Sequence, residues 1–161
     1  MADFLLVEVV EALIIMGKNI YVAGSFAHQV AVRAFAQRLR DAGHKVYCFC
    51  DEQEPTYKLG VKIRENKLVN RVNHRTALLQ PDIRNIGILN WKKLDEAEII
   101  VVMLPCGKSA HLEAGYAIGK GKRAYVYGYL PLGEFDAMYV MMDDVFNEEQ
   151  FDLLVMALNA T

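Results

Sequence analysis

Short apolar runs alternate with amphipathic stretches along most of the chain. Residues 19–24 and 44–50 predict two strands. Between them, apolar residues recur at spacings of three and four over residues 27–42, which predicts a helix, and Gly43 is placed to end it. The same alternation predicts further strands at residues 98–104, 123–128 and around 140. It also predicts helices at residues 58–72, 82–97, from Ser109 to Gly119 or Gly121, and 147–158, and Ser109 is expected to be the N-cap of its helix.

The predicted strand at residues 98–104 is almost continuously apolar, as a strand must be when helices cover both faces of its sheet. Alternation of strands and helices predicts a parallel sheet of this kind. A length of 161 residues corresponds to about one domain. We therefore expect a single three-layer α/β domain over residues 1–161, flavodoxin-like or Rossmann-like, with about five parallel strands and helices on both faces.

The amino-terminal segment is apolar but carries Glu8 and Glu11, which fall on one helical face. Its apolar stretch is too short to span a bilayer, and it has neither the basic start nor the cleavage site of a signal peptide. Residues 1–16 are therefore predicted to form an amphipathic helical extension, and no membrane partner is expected.

Charge and cysteine content exclude several classes of partner. Eighteen Lys and Arg against twenty Asp and Glu give a net charge of −2 with no long basic run, so nucleic-acid binding is not expected. Three cysteines are an odd number in a chain large enough to fold without disulfides. They predict free thiols in a reducing compartment and hence a cytoplasmic protein. The four histidines have no ligand-pair spacing, so no metal site is expected.

The candidate chemistry follows two of the predicted strands, because ligands of open parallel sheets bind at the carboxyl ends of the strands. After the first strand, Gly24 lets a ligand approach the backbone, and Ser25 adds a hydroxyl beside helix amides. Glu113 lies in an apolar stretch near the start of a later helix. There the helix dipole favours the charged carboxylate while burial opposes it, an environment typical of a nucleophile. The pattern equally allows an exposed glutamate paired with Lys108 or Lys120.

Two segments carry a resemblance to a known family. The stretches IYVAGSF (residues 20–26) and AEIIVVMLPCGKSAHLEAGYAIGKGK (residues 97–122) resemble the nucleoside 2-deoxyribosyltransferase family. The resemblance includes its relatives, the N-glycosidases that hydrolyse deoxynucleoside monophosphates, and extends over residues 18–128.

The resemblance implies catalytic roles for two residues. A Glu-x-Gly-x-Ala helix start, in which the glutamate is the nucleophile, is matched by Glu113, Gly115 and Ala117. The first-strand tyrosine that helps to hold this nucleophile corresponds to Tyr21. A carboxylate of this kind attacks the anomeric carbon, the base leaves, and another base or water resolves the covalent intermediate.

The resemblance also implies the partners of the protein. The implied partner is a small nucleoside or nucleotide, and no cofactor is needed. A homo-oligomer is expected because the family builds its sites near subunit interfaces.

Departures from the family pattern leave the substrate open. Asn90 stands where the transferases have a base-contacting acid, and Gly107 stands where they have a sugar-binding aspartate. Hydroxyl residues, glycines and Lys108 favour a 5′-monophosphate substrate. The missing acids also allow a non-catalytic nucleotide-binding or sensing module, and ribosyl bonds of NAD-like molecules are a third possibility. The predicted substrate-binding residues are Gly24, Ser25, Phe26, Asn90, Gly107, Lys108, Ser109 and Gly115.

Overall fold

The computed structural model describes residues 17–65, 74–130, 133 and 136–160, and the predicted extension at residues 1–16 lies outside them. Five parallel strands form one sheet in the order β2-β1-β3-β4-β5. This order confirms the predicted flavodoxin-like class of α/β fold. The strands are β1 (Asn19–Ala23), β2 (Lys45–Cys48), β3 (Ile99–Met103), β4 (Arg123–Tyr127) and β5 (Asp144–Phe146).

Helices connect the strands, and none of those in the described ranges is both long and apolar enough to cross a membrane. The second half of the helix predicted at residues 58–72 falls outside the described residues, and its first half belongs to a helix that begins at Pro55. The α-helices are α1 (Gln29–Asp41), α2 (Pro55–Glu65), α3 (His74–Ala77), α4 (Pro81–Glu96), α5 (Lys108–Gly119) and α6 (Phe151–Asn159). Short 3-10 helices span Phe26–His28, Ala137–Met141 and Glu148–Gln150.

Helices cover both faces of the sheet and complete the three layers. Successive side chains of a strand point to opposite faces. In β1, Ile20 and Val22 therefore join a core cluster with residues of α1 and α6, whereas Tyr21 and Ala23 join a second cluster with residues of α4 and α5. Tyr21 thus points from the centre of the sheet toward the helix that carries Glu113.

The first helix ends where its sequence predicts. Val32 and Leu39 are buried on its inner face. Gly43 has φ +95°, a left-handed conformation that glycine adopts without steric cost, and its N–H donates to the Arg40 carbonyl at 2.9 Å. The turn directs the chain into β2, beside β1.

The strand predicted around residue 140 is wrong. The chain forms the 3-10 helix Ala137–Met141 there, and the fifth strand follows at Asp144–Phe146. The Asp136 carboxylate accepts a hydrogen bond from the Met138 N–H at 2.8 Å, which stabilises the first turn of this helix. Met138 and Val140 are exposed, so the apolar run is not a buried strand.

Candidate active site

The candidate site lies at the carboxyl ends of β1 and β3, where the strand order reverses. The chain crosses from β1 to β2 on one side and later returns to β3 on the other. Ligand crevices form at such points in open α/β sheets. A cavity of about 360 Å³ opens here, within the size range of small-molecule sites. Its lining residues are Gly24, Ser25, Phe26, Phe49, Thr56, Gly60, Ile63, Ile86, Asn90, Gly107, Ser109 and Glu113.

Glu113 reaches this cavity from the second turn of α5. Ser109 was expected to cap this helix, which is wrong: the cap is Gly107, with extended backbone and no side-chain bond, and Ser109 is the second helical residue. Glu113 is therefore sixth in the helix. The neighbouring Ala110 and Ala114 are completely buried, which places this side of α5 flat on the sheet.

Tyr21 is the hydrogen-bond partner of the Glu113 carboxylate. Its hydroxyl donates to Glu113 Oε1 at 2.9 Å, and the tyrosine side chain is completely buried in β1, an inner strand of the sheet. Glu113 pairs with neither Lys108 nor Lys120, since Lys120 Nζ lies 3.9 Å from Asp95 Oδ1 and Lys108 lines a different cavity. The two residues expected to be catalytic are therefore brought together.

Burial raises the pKa of both Glu113 and Tyr21. It raises the pKa of Glu113 to about 7, while the hydrogen bond from Tyr21 acts in the opposite direction by favouring the carboxylate. Burial and the adjacent Glu113 also hold the pKa of Tyr21 well above its ordinary value. Tyr21 therefore stays a hydrogen-bond donor at neutral pH, where Glu113 changes between acid and carboxylate.

The turn after β1 brings the backbone close to this pair. A Cβ at Gly24 would lie 2.9 Å from Val32 Cγ2, so a larger residue would displace the first helix. Ser25 Oγ accepts from the Ala27 N–H at 3.2 Å and starts the 3-10 helix that carries Phe26. The Ser25 hydroxyl proton remains available for a ligand.

Six of the eight predicted substrate-binding residues line the Glu113 cavity, and two do not. Lys108 and Gly115 line a second cavity of about 700 Å³, which Gly107 shares. This second cavity is mainly apolar and lies beside the 3-10 helix Ala137–Met141, with Met138, Met141 and Met142 in its wall. The residues in the Glu113 cavity are Gly24, Ser25, Phe26, Asn90, Gly107 and Ser109.

One wall of the cavity consists of residues that the sequence did not predict as part of the site. Phe49 follows β2, Thr56, Gly60 and Ile63 come from α2, and Ile86 comes from α4. The Phe26 ring stacks on Tyr57 with centroids 5.6 Å apart, and the Phe49 ring centroid lies 6.4 Å from that of Phe26. Phe49 lies at the carboxyl end of the strand predicted at residues 44–50, and this position is the signal that could have found it.

Polar groups in the wall are connected through Tyr47. Its hydroxyl donates to Asn90 Oδ1 at 3.1 Å and lies 3.0 Å from Thr56 Oγ1. Its ring centroid is 5.2 Å from that of Tyr21. Among the described residues that line this cavity, Glu113 has the only carboxyl group. The site therefore offers one carboxyl group, one apolar aromatic wall and several neutral hydrogen-bonding groups.

Comparison of the chain with protein-family models and with curated proteins found no match. The family suggested by its motifs therefore stays a prediction.

Proposed function

We propose that the protein cleaves or transfers the N-glycosidic bond of a nucleoside or deoxynucleoside, with Glu113 as the nucleophile. The observation that carries this proposal is the Tyr21–Glu113 hydrogen bond of 2.9 Å at the cavity where β1 and β3 end. A carboxylate fixed at one oxygen by a buried donor has its second oxygen free for attack.

The proposed reaction has two steps. In the first, a Glu113 oxygen bonds to the anomeric carbon, the bond from this carbon to the base nitrogen breaks, and the electron pair leaves with the base, which takes up a proton from solvent. In the second, water or a second base attacks the same carbon and loses a proton to solvent, the ester bond to Glu113 breaks, and the carboxylate is restored. Water gives hydrolysis and a base gives transfer.

The cavity wall supports a nucleoside as the substrate. Phe26, Phe49, Ile63 and Ile86 give an apolar, partly aromatic surface, on which a base can stack. A base placed against this wall is in the same cavity as Glu113, which the reaction requires.

One observation favours a 5′-monophosphate as a second candidate substrate. Gly107 and Ser109 at the amino end of α5 line the cavity, and Ser25 lines it too. The first amides of a helix and nearby hydroxyls favour a phosphate. Lys108 does not line this cavity, so the helix end and the hydroxyls are the groups that we propose for this contact.

Base release tests the proposal directly. The protein is incubated with each deoxynucleoside and each 5′-monophosphate, with and without a second free base, and products are separated by chromatography. We expect Glu113→Gln to reduce turnover by about a thousandfold or more, as loss of a nucleophile does. Glu149→Gln is the matched control, because Glu149 also accepts from a tyrosine, Tyr129, at 2.5 Å but lies outside the cavity.

Three outcomes separate the alternatives. Turnover that Glu113→Gln abolishes and Glu149→Gln preserves supports the proposal. Turnover that is equal in native protein and Glu113→Gln contradicts it. A nucleotide that raises the melting temperature but is left intact indicates the sensing module instead. The expected homo-oligomer stays a prediction, and sedimentation of the purified protein tests it.

A further inference from the structure

The orientation of the Asn90 side chain is set by a residue outside the cavity lining. Asn90 lies on α4 and lines the cavity, and the Tyr47 hydroxyl at β2 is 3.1 Å from its Oδ1. Tyr47 Oη is also 3.0 Å from Thr56 Oγ1. Three elements, β2, α2 and α4, thus meet in one chain of hydrogen bonds beside the cavity.

The direction of these hydrogen bonds follows from which groups can donate. A carbonyl oxygen only accepts, so the single hydroxyl proton of Tyr47 points to Asn90 Oδ1. The Thr56 hydroxyl lies 3.0 Å from the Tyr47 oxygen and donates to the Phe49 carbonyl at 3.4 Å. Burial raises the pKa of Tyr47 above its ordinary value, which keeps this proton in place at neutral pH. The carbonyl branch of the Asn90 amide therefore faces Tyr47, and its NH₂ branch is the one left for a ligand.

An asparagine that presents only its NH₂ group selects among bases. With both branches free, asparagine binds adenine in a bidentate way, accepting from the 6-amino group and donating to N7. With its oxygen turned toward Tyr47, Asn90 presents its NH₂ group, a donor, to the ligand. Guanine, hypoxanthine, uracil and thymine present oxo acceptors, whereas the amino groups of adenine and cytosine place a donor against a donor.

We propose that Asn90, oriented by Tyr47, is a specificity-determining residue that makes the site favour oxo bases over the corresponding amino bases. The inference rests on the proposed function only in that a nucleoside occupies the Glu113 cavity. The expected preference is about tenfold or more within a matched pair, which corresponds to about 1.4 kcal/mol.

Binding to a protein that cannot turn over its ligand measures the preference. In the Glu113→Gln background, titration calorimetry compares deoxyinosine with deoxyadenosine and deoxyuridine with deoxycytidine. Each pair differs in one oxo or amino group. We expect the oxo member of each pair to bind about tenfold more tightly or better.

Substitution of the asparagine should reverse this ratio. In Asn90→Asp both side-chain oxygens accept, so one still accepts from Tyr47 and the other now favours an amino group. The oxo/amino affinity ratio is expected to fall below one. Asn85→Asp is the matched control, because Asn85 is exposed on the same helix and does not line the cavity, and it introduces the same charge. This control should keep the original ratio.

Tyr47→Phe tests the orienting contact while leaving residue 90 unchanged. Without the donor, the Asn90 amide is free to present both of its branches, so affinity for deoxyadenosine should rise and the ratio should approach one. A residue with a merely structural role would weaken both members of a pair together. This variant keeps the inference testable if Asn90→Asp does not fold.

The outcomes distinguish this inference from the proposed function. Equal affinities within both pairs, a ratio that neither Asn90→Asp nor Tyr47→Phe changes, or no nucleoside binding at all would overturn the role of Asn90. Turnover without an oxo preference overturns that role and leaves the proposed function standing. An oxo preference without turnover by the native protein supports the role of Asn90 and refutes the proposed function.

Discussion

The hydroxyl of Tyr21 donates to Glu113 Oε1 at 2.9 Å across a separation of 92 residues in the chain. Tyr21 belongs to β1, between β2 and β3 in the sheet, and Glu113 belongs to the second turn of α5. The contact joins the two segments that the sequence singles out for chemistry. It also determines the behaviour of the carboxylate, because the hydrogen bond favours the charged form while burial favours the neutral one.

The first prediction concerns the pH dependence of the proposed reaction. A nucleophilic carboxylate must be deprotonated, and burial raises the pKa of Glu113 from 4.5 to about 7. The value of kcat/KM should therefore rise with pH through about 7 and level off above it, as a titration of the free enzyme. Initial rates from pH 5 to 9 measure this. A rate that is constant between pH 5 and 8 would contradict the nucleophile role of Glu113.

The second prediction concerns the tyrosine. In Tyr21→Phe the carboxylate loses a hydrogen bond that lowers its pKa, so the rise of kcat/KM should move to a higher pH. At pH 7 the rate should fall by about tenfold or more, since hydrogen bonds to charged groups are worth about 1.5–3 kcal/mol. Tyr129→Phe is the control, because it removes an exposed tyrosine that donates to Glu149. An unshifted profile in Tyr21→Phe would mean that the hydrogen bond does not tune Glu113.

The third prediction concerns stability. A raised folded-state pKa means that the folded protein retains a proton between about pH 4.5 and 7 that the unfolded chain has lost. The contribution of Glu113 to stability is therefore full below pH 4.5 and is lost as pH rises through about 7. Glutamine has no such dependence, so Glu113→Gln should gain stability relative to native protein, by about 2 kcal/mol more at pH 8 than at pH 5. Urea unfolding at both pH values measures it.

The corresponding control is Glu149→Gln, whose stability difference from native protein should not grow with pH in this way. Glu149 is exposed, and its hydrogen bond from Tyr129 lowers its pKa instead of raising it. If native protein and Glu113→Gln keep a constant stability difference from pH 5 to 8, the Glu113 carboxyl is not desolvated as described.

The fourth prediction concerns the backbone beside the cavity. In Gly24→Ala the new Cβ would lie 2.9 Å from Val32 Cγ2. Val32 is buried, and its β-branched side chain is restricted at χ1, so it cannot easily move away. We expect a loss of about 1–3 kcal/mol in the free energy of unfolding, the usual cost of overpacking. Gly87→Ala is the control, because its Cβ meets open space on α4, and alanine should stabilise that helix by about 0.5–1 kcal/mol. Thermal unfolding of the three proteins compares them.

Local pattern predicts much of this fold because the strands are short apolar runs with clear boundaries. β3 is buried along almost its whole length, as its continuous apolar sequence indicates. The error around residue 140 has the same origin, because a run of Met, Tyr and Val predicts a strand when its exposure is unknown. The capping of α5 by Gly107 instead of Ser109 shifts Glu113 by two positions along the helix, which hydroxyl preference alone does not reveal.

The candidate site also contains one part that the sequence predicts and another that it does not. Glu113 is detectable in the sequence because a carboxylate interrupts an apolar stretch after a central strand. The Tyr47–Asn90 contact is not detectable, because it depends on how β2 and α4 pack, 43 residues apart. Local periodicity contains no information about such a contact. The aromatic wall beside α2 was missed for the same reason.

The proposed reacting pair and the proposed recognition residues come from different elements of the fold. Tyr21 and Glu113 belong to β1 and α5, whereas Tyr47, Thr56 and Asn90 belong to β2, α2 and α4. Under the proposed function, substitutions in the outer strand and these two helices are therefore a route to altered base selectivity that leaves the two proposed reacting residues in place.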